Sequence, residues 1–165
     1  MTKLEYRMTK ESPSRPPIAK AKRTFCIVAS RFNAQYVDGL VDHATRELRA
    51  LAPEATISGH RVPGAFEIPV IVRELASRES TDVVIACGVI LQGETSHAQN
   101  LSRSVTDALQ RIAVEQGVPV INVVLSFDDE SQARARCLEN RINRGTEAAR
   151  AAVEIANVVA DLRRK

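Results

Sequence analysis

Beyond residue 23 the chain alternates between two hydrophobic periodicities. A short apolar run from Phe25 to Ala29 reads as a strand, and the stretch after it repeats Val37, Leu40, Val41, Ala44, Leu48 and Leu51 at helical spacing. Asp38, Asp42, Arg46 and Glu47 fall off that stripe, and Pro53 closes the helix. A second strand is predicted near Thr56 to Val62. Pro63 and Gly64 then break the chain, and Ala65 to Arg78 reads as a helix whose Pro69 is tolerable only within about its first turn. The third strand is Asp82 to Leu91, the next helix runs from about Ser96 to Gln116, and the fourth strand from Val118 to Leu125. Two last helices cover roughly Glu130 to Glu139 and Thr146 to Arg163.

The order is therefore βαβαβαβαα. Strands that read as continuous apolar runs, each separated by a helix, are buried on both faces, which calls for a parallel sheet between two helical layers. Right-handed crossovers leave few topologies, and the expectation is an α/β three-layer sandwich with a four-stranded flavodoxin-like sheet in the order 2-1-3-4. No internal repeat or low-complexity block competes with it.

Composition changes that picture little. A chain of 165 residues, 44% hydrophobic and 26% charged, fits one globular domain with one full-sized core. Its longest strongly apolar run, Val83 to Leu91, is too short to cross a bilayer, and no apolar segment follows the charged start as a secretory signal requires. The expectation is a cytoplasmic protein with no membrane partner. Cys26, Cys87 and Cys137 form no CxxC pair and read as core thiols.

The formal charge of +3 invites a nucleic-acid reading until it is located. Residues 1 to 23 hold Lys3, Arg7, Lys10, Arg15, Lys20, Lys22 and Arg23 against Glu5 and Glu11, a net of +5, so the rest of the chain carries −2. The body is not basic, and a nucleic-acid partner is not expected. Pro13, Pro16 and Pro17 make residues 1–23 an extended, mobile basic tail, leaving 24–165 as the single domain.

Open parallel sheets bind ligands beyond the carboxyl ends of their strands. Here those segments read Ser30-Arg31-Phe32-Asn33, Val62-Pro63-Gly64-Ala65-Phe66-Glu67, Gln92-Gly93-Glu94-Thr95-Ser96-His97 and Ser126-Phe127-Asp128-Asp129. Three of the chain's four phenylalanines, Phe32, Phe66 and Phe127, thus collect on one rim, a stacking platform for a flat ring or equally a cap on the core. Gly93 to Ser96 hand a strand over to a helix whose free amides favour a phosphate, although plain helix capping by Thr95 or Ser96 gives the same residues. His97 there is a candidate for passing protons in catalysis, or equally a polar loop residue. Arg136 and Arg144 lie in the last helical region, where an arginine serves either a phosphate or a solvated face. His43 and His60 share no ligand spacing with His97, so no metal is expected.

These segments resemble the 6,7-dimethyl-8-ribityllumazine synthase family over about residues 24–162. The likeness rests on Ile27 to Asn33, Val62 to Pro69, Gly88 to Ile90 followed by Gly93 to His97, and Gln132 through Arg136 to Arg144 with Glu147 to Ala149, in the family's order and spacing. The resemblance implies condensation of 5-amino-6-(D-ribitylamino)uracil with 3,4-dihydroxy-2-butanone 4-phosphate, with loss of phosphate and without a cofactor. It implies that Phe32 stacks on the pyrimidine with Asn33 beside it, that Ala65, Phe66 and Glu67 hold the ribityl chain, and that Val89, Ile90 and Leu91 read the ring edge. His97 becomes the proton-transfer residue, and Gly93, Glu94, Thr95, Arg136 and Arg144 the phosphate site, with Arg144 where the family usually has lysine. It also implies a homo-oligomer of pentamers, in which Asn122, Arg136 and Arg144 of one subunit face Phe32 and Glu67 of the next, and it admits riboflavin synthase as a partner.

The chain departs from the family around that pocket. Ala98, Gln99 and Asn100 follow the histidine where Phe, an acid and Tyr are usual, Asn122 replaces a phenylalanine, and Ser126-Phe127 replaces Thr-Thr. A relative that binds a ribityl-pyrimidine or flavin without efficient turnover is the second reading, and an inert shell the third.

Overall fold

In the computed structural model, which describes residues 13–93 and 96–164, β1 (Thr24–Ser30) leads into α1 (Ala34–Leu51) and β2 (Thr56–Val62). A 3₁₀ turn at Ala65–Glu67 precedes α2 (Ile68–Ala76), followed by β3 (Val83–Leu91), α3 (His97–Gln116), β4 (Val120–Phe127), α4 (Glu130–Cys137) and α5 (Arg144–Arg163). The four strands are parallel in the order β2-β1-β3-β4, as expected. Alternate residues of the central strands feed two cores. Phe25, Ile27, Val83, Ile85 and Cys87 pack with α1, α4 and α5, whereas Cys26, Val28, Val84 and Ala86 pack with α2 and α3. Continuous apolar sequence is thus the signature of burial on both faces, and it holds for β1 and β3. The edge strands β2 and β4 are only partly covered.

Several boundaries move, each for a local reason. The helix expected from Ala65 begins as a 3₁₀ turn, so Pro69 becomes the second residue of α2, where its missing N–H costs no helical bond. The fourth strand shifts to Val120–Phe127 because Pro119 has no N–H for the ladder and contributes only its carbonyl, to Val84 N at 3.0 Å. Its register then pairs Val84 with Val120 and carries on to Leu91 with Phe127. The last helix starts at Arg144 because Asn143 Oδ1 accepts from Gly145 N at 2.9 Å and Thr146 N at 3.1 Å. A Cβ on Gly145 would run into the Leu40 carbonyl, so the glycine lets α5 lie close against α1.

The tail corrects the sequence reading most. Residues 13–23 form neither helix nor strand, yet they are fastened to the body. Ala19 is buried and donates its N–H to Leu51 O at 2.7 Å, and Arg23 donates to Ala156 O at 2.9 Å and Asn157 Oδ1 at 3.1 Å. Arg15 meets the Glu47 carboxylate with Nε and Nη2 at 2.7 and 3.1 Å; Arg150 reaches the same carboxylate at 3.2 Å and the Pro13 carbonyl. Glu47, assigned from spacing to a solvated face, is 7% exposed because these arginines cover it. Two of the tail's cations are thereby engaged by the body. The three cysteines are buried, and burial pushes the Cys87 and Cys137 thiols up to about 12.

Burial alone would raise the Glu47 carboxyl, but hydrogen bonds and charge from Arg15 and Arg150 prevail and hold it below the usual range. A lowered folded-state value stabilises above the unfolded value and is lost as pH falls through the folded one. Glu47→Gln is expected to cost about 1 to 3 kcal/mol at neutral pH. Wild type should keep that advantage down to about pH 4.3 and lose it below. Urea unfolding of both proteins across this range checks the effect, and a difference that ignores acid would assign the stabilisation elsewhere.

Candidate active site

The carboxyl ends of β1, β2 and β3 carry loops that are tied to one another. Arg31 N donates to the carbonyls of Val62 and Pro63 at 2.9 and 3.2 Å, joining the segment after β1 to the one after β2. Asn33 follows with φ 55° and ψ 45°, a left-handed backbone that asparagine tolerates better than most residues. Its Nδ2 donates to Val89 O at 2.7 Å, joining the first loop to β3. Gln92 N continues the β3–β4 ladder by donating to Phe127 O at 2.9 Å.

These loops and the first turns of α3 enclose a cavity of about 660 Å³, lined by Phe32, Asn33, Gly64, Ala65, Phe66, Glu67, Val89, Ile90, Leu91, His97, Ala98 and Leu101. Its wall is mostly apolar, with the polar side chains of Asn33, Glu67 and His97 at separate points. Phe32 and Phe66 are 74% and 69% exposed, so neither is a core cap. His97 is the first residue of α3, and Ser96 before it makes no side-chain capping bond. Glu94 and Thr95, expected in the phosphate loop, lie outside the described residues; Gly93 is exposed beside them.

One expectation is redrawn. Phe127 is not on the rim: it is the last residue of β4, 5% exposed, in the core with α1, α4 and α5. The extended register places it opposite Leu91 and turns its ring inward. Asn122, Arg136 and Arg144, expected to serve a neighbouring subunit's site, do not line the cavity of their own chain. Asn122 and Arg144 line a separate recess of about 110 Å³ between β4 and α5, where Asn122 Oδ1 accepts from Val124 N at 2.9 Å and Arg144 Nη1 meets Glu147 Oε2 at 2.5 Å. Arg136 lies on α4, half-buried, with Nη1 at 3.5 Å from Gln132 O and no ion pair among the described residues.

The family model described as 6,7-dimethyl-8-ribityllumazine synthase matches residues 22–160. A protein of that name from Nitrosomonas europaea is 41% identical over 137 residues, 82% of this chain and 81% of its own. One from Azoarcus sp. is 39% identical over 135 residues, covering 81% and 83%, and one from Xanthomonas oryzae pv. oryzae is 36% identical over 150, covering 90% and 95%. The chain belongs to the lumazine synthase family. The match takes in all four strands and all five helices, ending within the last of them.

Sequence reasoning passed over Leu101 as a lining residue, although its place four residues after His97 on a helix puts both on one face. The aromatic rings also separate by role. Phe127→Ala is expected to cost about 3 to 5 kcal/mol of stability as a core truncation. Phe32→Ala and Phe66→Ala should each stay within about 0.5 kcal/mol, as exposed positions do. Urea unfolding of the three variants checks this, and an equally large loss at Phe32 would place that ring in the core instead.

Proposed function

We propose that this chain condenses 5-amino-6-(D-ribitylamino)uracil with 3,4-dihydroxy-2-butanone 4-phosphate to 6,7-dimethyl-8-ribityllumazine. The observation that carries the reading is the single cavity in which Phe32, Ala65 to Glu67, Val89 to Leu91 and His97 come together from three loops distant in sequence. Phe32 offers a face for the pyrimidine, Glu67 accepts hydrogen bonds from the ribityl hydroxyls, and the strand end Val89 to Leu91 reads the ring edge. The amine attacks the ketone of the butanone phosphate, water leaves to form a Schiff base, phosphate is eliminated, and the ribityl-bearing nitrogen closes the ring with loss of a second water. His97 stands where it can pass protons between these steps.

The phosphate needs a cation, and no lysine or arginine is among the described residues that line the cavity. Arg136 is the better donor of the two candidate arginines, because Glu147 already neutralises Arg144. Arg136, Arg144 and Asn122 lie away from their own chain's cavity, so in this reading they complete a neighbour's. A head-to-tail contact that closes into a ring gives every subunit one whole site, and the ring proposed is the family's pentamer. Exposed Phe32, Phe66 and Val70 supply apolar surface for that contact. The product would pass to a riboflavin synthase, in the cytoplasm.

A second reading, binding without efficient turnover, draws on the polar amide of Asn122 and the closed Arg144–Glu147 pair in the neighbour's half of the site. Mixing the purified protein with both substrates and following lumazine absorbance and fluorescence separates the two. His97→Ala is expected to slow turnover by about 10²-fold or less. Arg136→Ala should weaken butanone phosphate binding by about 2 to 5 kcal/mol while the protein stays folded. The shared site has a sharper consequence. Subunits of the two variants, each impaired alone, should on random mixing regain intact sites at about a quarter of their contacts. No recovery in mixed rings, or an active monomer by sedimentation, would show that each chain holds a complete site.

A further inference from the structure

We propose that Asn33 is a positioning residue: its side chain holds the Phe32 loop at a set height above the end of β3 and so fixes the slot into which the substrate's flat ring slides. This rests on the proposed function for the identity of that ring.

Three observations carry it. First, Asn33 is the only non-glycine residue with positive φ among the described residues, a conformation that persists where the surroundings over-determine it. Second, Asn33 stands at the N-cap of α1, where asparagine normally caps the helix with its own side chain, and it makes no such bond. Its backbone carbonyl accepts from Tyr36 N and Val37 N at 3.0 and 3.2 Å, starting the helix, while the carboxamide reaches across to Val89 O at 2.7 Å. Third, the β1–β3 ladder ends at Ala29 and Cys87, whereas β3 runs on to Leu91 paired with β4 alone. The Asn33 amide supplies the next rung that β1 does not.

The consequence concerns Phe32. Its ring is 74% exposed, so side-chain packing does not hold it. Its loop is pinned by hydrogen bonds instead, the Arg31 main-chain N–H on Val62 and Pro63 on one side and the Asn33 side-chain amide on Val89 on the other. Val89 to Leu91 line the same cavity as Phe32. The brace therefore ties together two of the surfaces that a planar ring in this cavity would meet, and it acts through Phe32 rather than on the substrate.

Two substitutions separate the brace from the backbone. Asn33→Gly adopts the left-handed conformation freely but has no amide. Asn33→Asp keeps the size and the tolerance of positive φ but puts an acceptor against the Val89 carbonyl. Steady-state kinetics with both substrates are expected to show a KM for the ribitylamino-pyrimidine raised about 10- to 100-fold in each. The KM for butanone phosphate should move less than about threefold, since the phosphate is held elsewhere. In a Phe32→Ala background the same Asn33 changes should add little, because the ring they position is gone.

An Asn33→Gly enzyme with wild-type pyrimidine KM would show that only the backbone conformation matters, and would overturn the proposal. So would equal rises in both KM values, full additivity with Phe32→Ala, or failure of both variants to fold. A wild-type chain that forms no lumazine overturns the proposed function and this inference together, whereas the other outcomes overturn the inference alone.

Discussion

Burial of β3 on both faces is the constraint on which the rest of the molecule depends. Eight of its nine residues, from Val83 to Ile90, are buried, and β1 beside it is nearly as enclosed. Each fully buried Val or Ile contributes about 1.5 to 3 kcal/mol, and the residues of these two strands feed both cores. That interior also has no place for groups that must meet water or substrate. Chemistry is displaced to the strand ends, where backbone groups have run out of ladder partners and loops can supply others. The cavity over β1, β2 and β3 is where that displacement leads.

Loops at a strand end are the mobile part of most folds, yet a site that recognises a flat ring needs fixed walls. Here the fixing comes from hydrogen bonds between segments: main-chain bonds of Arg31 with Val62 and Pro63 and of Gln92 with Phe127, and the Asn33 side-chain amide on the Val89 carbonyl. The exposed phenylalanines can then stand clear of the core without being loose. The cost is a chain with apolar rings in water and with Arg136, Arg144 and Asn122 on surfaces away from the cavity. Association of copies would resolve both features at once, by covering the rings and bringing the cations to the anion.

Electrostatics follow the same economy. Part of the tail's positive charge is engaged by the body: Arg15 joins Arg150 around Glu47, and Arg23 is bound to the end of α5. Arg144 is likewise matched by Glu147. Arg136 has no carboxylate against it among the described residues, which is why the proposed reading gives it, rather than Arg144, the phosphate.

By itself the sequence determined the element order, the parallel sheet with its 2-1-3-4 topology and the buried thiols, because periodicity and apolar runs report burial directly. It also determined the rim segments, because a doubly wound sheet allows ligands at only one end of its strands. Glu47 looked solvated because spacing along α1 says nothing of Arg15 and Arg150, distant in the chain, which close over it. Phe127 looked like a rim residue because the limit of β4 is set by pairing with Leu91, a long-range register. That Asn122 and Arg144 share a recess between β4 and α5, and that the Asn33 carboxamide reaches Val89, were decided by tertiary structure alone. In each case the deciding partner lies tens of residues away, and local pattern carries no information about which distant group will fill a hydrogen bond or neutralise a charge.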